Sequence, residues 1–175
     1  MPQQVLKRIL FIMPLPPPVH GSALMCRQIQ QSELINSSFD CSYVNLSTSR
    51  NNIEVDRFSL LLLFKKGMRF IGAYVNVFWK LTTHRPDIAY LAITCHGIGF
   101  LKDAPFVLLC KLFGCSIVLH QHNKGMANDV HRPVYRWLLP LVYRKSTVIL
   151  LSWRLYDDVS EVVSKDQIRI CPNGL

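Results

Sequence analysis

The sequence predicts a doubly wound α/β domain, a parallel sheet with helices on both faces. Three observations carry that expectation. Short apolar runs such as Ile9-Leu10-Phe11-Ile12-Met13 show no polar alternation, the pattern of strands buried on both faces. Segments of helical period separate these runs, giving the strand–helix alternation of a crossover-connected sheet. The 175 residues, half of them hydrophobic, suit one domain (1–175) with a sizeable core.

The elements follow in order. Residues 7–13 are the first strand, ended by Pro14. Pro14, Pro16, Pro17 and Pro18 make a stiff corner, and a helix over 22–35 follows with Ser22 at its N-cap. A second strand spans 41–46, and the polar stretch 47–56 is a loop. The long helical segment 57–83 is expected to break near Gly67 or Gly72. The turn Arg85-Pro86-Asp87 leads into a strand over 88–93, then a helix over 99–113 stopped by Gly114. A strand over 116–121 runs into a polar loop, 123–132. The helix 133–143 should kink or split at Pro140, which lacks the amide proton a helix needs. A strand (147–151), a helix (154–163) and a short strand (167–171) complete the chain.

In doubly wound sheets, ligands bind beyond the carboxyl ends of the strands. That rule selects 14–22, 94–99, 122–128 and Ser152. At the first, Gly21 and Ser22 open a helix whose free amides and positive dipole end favour an anion. A plain strand–helix connection is the competing reading. At the third, His122 ends a strand and can hydrogen-bond a ligand, while His120, two residues earlier on the same face, reads as a core histidine. Ser152 reads as a helix cap, and Lys124 either meets an anion or is solvated.

Several function classes are disfavoured. The GxGxxG dinucleotide fingerprint is missing after the first strand, where Pro-Pro-Pro-Val-His-Gly-Ser stands, and Gly97-Ile-Gly99 lacks the third glycine. There is no GxxxxGK[ST] phosphate loop and no GxSxG nucleophile elbow. The six cysteines form no CxxC pair and read as reduced thiols; only His120-Gln-His122 has ligand spacing, so no metal is expected. The net charge of +9 calls for a polyanionic partner, yet no nucleic-acid-binding motif occurs, and nucleic acid is not expected. No apolar run reaches the ~18–20 residues of a membrane span, and the first residues lack a signal-peptide plan, so a cytoplasmic location is expected.

Together the segments resemble the N-terminal half of a retaining glycosyltransferase of the GT-B architecture (glycosyltransferase family 4-like, group 1). The resemblance rests on "FIMPLPPPVHGSALM", "RPDIAYLAIT", "FGCSIVLHQHNKG", "STVILLSWRLYDDV" and "IRICPNGL" in that order, and covers nearly the whole chain. It implies a Rossmann-like, acceptor-side domain and a nucleotide-sugar domain absent from this chain. It further implies a nucleotide-diphosphate sugar as donor, a glycan or lipid-linked acceptor, retention of configuration, no cofactor and no obligatory metal. By the resemblance, Gly21 and Ser22 lie on the diphosphate side and His122 near the transferred sugar. The isolated half is then expected to be nearly inactive and to self-associate through exposed surface.

One further pattern stands apart. From Arg57 to Arg85 there is no acidic residue. Lys65, Lys66, Arg69, Asn76, Lys80 and Thr83 fall on one arc of a helical wheel, interrupted only by Leu62, and the remaining arc is apolar. The stretch 132–154 is also acid-free. Two readings stand: a sheet-packed helix with one solvated face, or a basic amphipathic helix on an anionic membrane surface, which would put the protein at the inner face of the membrane. The alternative to glycosyl transfer is a non-catalytic module that docks a membrane surface or a protein partner.

Overall fold

The computed structural model describes residues 6–48 and 59–172. Six strands form one parallel sheet flanked by helices, as expected for a Rossmann-like doubly wound fold. They are β1 (Arg8–Met13), β2 (Asp40–Asn45), β3 (Ile88–Ile93), β4 (Ser116–Gln121), β5 (Ser146–Leu150) and β6 (Ile168–Ile170), in spatial order β2-β1-β3-β4-β5-β6. The chain divides into two compact units, Met1–Ile88 and Ala89–Leu175.

In the first unit, β1 buries five of its six residues, and Leu10, Ile12 and Met13 are fully enclosed. Each such side chain contributes about 1.5–3 kcal/mol over leaving it in water. β1 pairs with β2 in parallel, from Arg8 opposite Asp40 to Met13 opposite Asn45. The chain beyond β1 is held to the chain beyond β2: Asn45 Oδ1 accepts from the Leu15 and Ser47 amides, and Ser47 Oγ donates to the Leu15 carbonyl. The proline corner is therefore anchored as well as stiff.

Where one helix over 22–35 was expected, there are two: α1 (Gly21–Gln31) and α2 (Glu33–Ser38). Ser32 divides them. Its backbone is extended and its hydroxyl accepts from the Ile35 amide, so a residue that favours caps over helix interiors restarts the helix. The expected break in the long helix does not occur. The 24-residue α3 (Leu60–Thr83) runs through Gly67 and Gly72, whose cost of ~1 kcal/mol each relative to alanine is too small to end it. Of its side chains only Val77 and Leu81 are fully buried.

In the second unit, α4 (Gly97–Leu112) buries Phe100, Ala104, Phe106, Val107 and Cys110. Phe100 stacks on Tyr135 and Tyr143 of α6 (Pro133–Tyr143). That helix continues without a break through Pro140, closed by the Arg144 amide on the Pro140 carbonyl. The 123–132 loop contains one helical turn, α5 (Met126–Asp129). The helix expected over 154–163 shrinks to a 3-10 turn, Trp153–Leu155, and the single-turn α7, Tyr156–Val159. β5 pairs in parallel with β4 and with β6. The last residues of the "IRICPNGL" segment, 173–175, lie outside the described residues, as does much of the 47–56 loop.

All six cysteines are free thiols. Burial pushes Cys26 and Cys95 up to about 12, which leaves them protonated and inert. Cys171, by contrast, is exposed.

Candidate functional site

In the first unit the site forms where β1 hands over to α1. Helix starts carry amides without intrahelical partners. Here His20, and not Ser22, is the cap: its Nδ1 accepts from the Ala23 amide at 3.3 Å and meets the Ser22 hydroxyl at 3.0 Å. No bond to the Gly21 or Ser22 amide occurs among the described residues. Gly21 is exposed, its φ is not left-handed, and a Cβ placed on it would meet nothing within 4 Å. Neither backbone conformation nor packing among the described residues calls for glycine at this position.

In the second unit the strand ends are organised differently. After β3, the Thr94 amide donates to Asp103 at 3.0 Å and the Gly97 amide to Asp129 at 2.7 Å. After β4, the Gly125 and Met126 amides donate to Asp158 Oδ2 at 2.9 and 3.0 Å, and the Ala127 amide to Oδ1 at 3.3 Å. The Gly97 amide, with Arg132 at 2.8 Å from the same carboxylate, holds Asp129 below the usual carboxylate range. Asp103 is pushed up by burial, against the pull of Lys102. Three carboxylates thus occupy amides that an incoming anion would otherwise use. Two glycines are required here for local reasons: a Cβ on Gly99 would lie 2.6 Å from Thr94 Cγ2, and Gly125, at φ +137°, would meet the His96 ring at 2.9 Å.

His122 follows the last residue of β4 and is half-buried. Its ring lies 4.0 Å, centroid to centroid, from that of His120, which is hydrogen-bonded through Nδ1 to the Tyr90 hydroxyl. Both ring nitrogens of His122, and Nε2 of His120, are buried with no hydrogen-bond partner among the described residues. A buried polar atom left unmet costs about 1–3 kcal/mol, so such a cluster is unusual unless a ligand or water completes it. Burial lowers His122 below the ordinary histidine value; burial, then the neighbouring His122, push His120 down to about 4. At neutral pH His120 is therefore uncharged. A neutral ring offers one donor and one acceptor, the chemistry that meets a hydroxyl.

Gly21 and Ser22 thus belong to the first unit and His122 to the second. Lys124 is exposed. Ser152 precedes the 3-10 turn without a side-chain capping bond. Sequence reasoning left His20 unassigned, although a histidine immediately before Gly-Ser at a helix start was a usable signal. It missed Asp103, Asp129 and Asp158 altogether. Among the described residues, no group of three or more His, Cys, Asp or Glu could hold a metal ion. Comparison of the chain with protein-family models, curated proteins and solved structures returned no match.

Proposed function

We propose that this chain is the acceptor-side, N-terminal domain of a retaining glycosyltransferase of GT-B architecture, which moves a sugar from a nucleotide-diphosphate sugar to an acceptor hydroxyl. The observation that carries the reading is the open start of α1. Two amides at the start of the helix dipole have no hydrogen-bond partner among the described residues, beside a glycine on which a Cβ would meet nothing within 4 Å. A diphosphate fits that chemistry, because its charge is met by fixed donors that need no reorganisation as the leaving group forms. His122, whose pKa burial lowers, stands at the end of β4 with both ring nitrogens unmet, and a sugar hydroxyl would meet one of them once the ring turns outward. Transfer needs the donor domain as well, so negligible turnover is expected of these residues alone.

The test is an amide-resolved NMR titration of the chain with a panel of nucleotide-diphosphate sugars up to millimolar concentration. The Gly21 and Ser22 amides should shift with at least one donor, and Gly21→Val should abolish the shift without lowering Tm. Absence of any shift at these amides across the panel would overturn the reading. So would full binding by Gly21→Val.

A further inference from the structure

The arc of α3 that faces solvent is its apolar one. Leu61, Phe64, Met68, Ile71, Val75 and Trp79 recur at steps of three and four residues, forming a single stripe along roughly 27 Å of helix. Phe64 is 67 % exposed, Val75 59 % and Trp79 64 %. An ordinary surface helix does the reverse and turns its apolar stripe inward. The half-buried side of α3 instead carries Lys66, Arg69 and Lys80 between its apolar residues, and Arg69 donates to the Thr48 carbonyl at 2.6 Å. Lys65 borders the exposed stripe, and a depression lined by Phe64, Lys65, Met68 and Arg69 sets the basic edge directly against it.

We propose that this stripe is an in-plane docking surface for an anionic lipid bilayer. No helix among the described residues is long and apolar enough to cross a membrane. Lys65, Lys66 and Arg69 within little more than a turn keep α3 from spanning one, and Lys65, exposed at the edge of the stripe, suits a helix lying at the headgroup boundary. Charge complementarity selects the occupant. Residues 57–85 contain no acid and the chain carries +9, so anionic headgroups attract the whole face. A second copy of the chain is the poorer fit. In a two-fold pairing the stripe would meet itself, and its basic border would meet the same basic border. The second unit repeats the device on a smaller scale: α6 exposes Val134, Trp137 and Leu141 along one stripe, with Arg136, Arg144 and Lys145 exposed on the same acid-free stretch. The proposal does not rest on glycosyl transfer.

The test is co-sedimentation of the chain with phosphatidylcholine vesicles, with and without phosphatidylserine. Fluorescence of a Trp137→Phe/Trp153→Phe variant then reports on Trp79 alone. Binding is expected to require phosphatidylserine, to weaken with salt and to blue-shift Trp79. Phe64→Ser/Ile71→Ser should weaken binding at least about tenfold, since apolar insertion supplies the contact. Lys65→Glu should weaken it by about fivefold or more. Both sites are exposed, and an unchanged Tm shows that the variants fold. No binding to phosphatidylserine vesicles, or binding that ignores the Phe64/Ile71 pair, overturns the proposal. A concentration-dependent dimer abolished by that pair, without vesicle binding, overturns it in favour of a second copy.

Discussion

His120 makes the stability of this protein depend on pH in a calculable way. Its ring is almost fully buried, hydrogen-bonded to Tyr90 and beside His122, and its pKa falls from an ordinary 6.5 to about 4. Below pH 6.5 the unfolded chain takes up a proton that the folded chain refuses. Stability is therefore complete above that value and is lost as the pH falls toward 4. Linkage over these two values gives a loss of about 2 kcal/mol between pH 8 and pH 5 from this one ring. The assay is urea denaturation of the native chain and of His120→Gln at a series of pH values in that window. Glutamine can still accept from Tyr90 but does not titrate. His122 and the carboxylates contribute to both curves, so the quantity to read is the difference between them. The native chain should lose about 2 kcal/mol more than the variant. Parallel curves would refute the reasoning, because they would mean that His120 is protonated equally in both states.

Two further predictions concern the strand-end loops. Asp158→Ala leaves the Gly125, Met126 and Ala127 amides without their acceptor, and should destabilise by about 2–3 kcal/mol. Hydrogen exchange at those three amides should accelerate more than elsewhere; uniform exchange would argue against a local clamp. Gly99→Ala places a Cβ 2.6 Å from Thr94 Cγ2 and should cost about 1–3 kcal/mol by overpacking, with partial recovery in Gly99→Ala/Thr94→Ser, both read by urea denaturation.

The sheet was legible because its strands are short runs rich in apolar residues; all six fall within a residue of their expected limits. Helix continuity was less legible. Ser32 looks like any polar residue on a helix surface until its hydroxyl is seen capping Ile35, whereas Gly67 and Gly72 look like breakers but only tax a helix held by its length. The orientation of α3 was not legible at all. A helical wheel separates the basic arc from the apolar one without saying which meets the sheet. Here Lys66, Arg69 and Lys80 lie on the packed side, where their aliphatic stems can cover apolar surface. At the candidate site, Gly21, Ser22 and His122 were selected by the strand-end rule together with the family resemblance. Asp129 and Asp158 were not, because each acts on amides more than thirty residues earlier, and no local pattern announces such a pairing.

Those long-range pairings also impose an order of assembly. The loop after β3 waits for Asp129, 32 residues beyond Gly97, and the loop after β4 waits for Asp158, 33 residues beyond Gly125. As the chain emerges from the ribosome, a strand can join the sheet while the loop at its end stays open. Each loop closes only when the following segment arrives. A chain halted short of Asp158 would carry β4 without the acceptor that the Gly125, Met126 and Ala127 amides share, and so without the clasp that shapes its end.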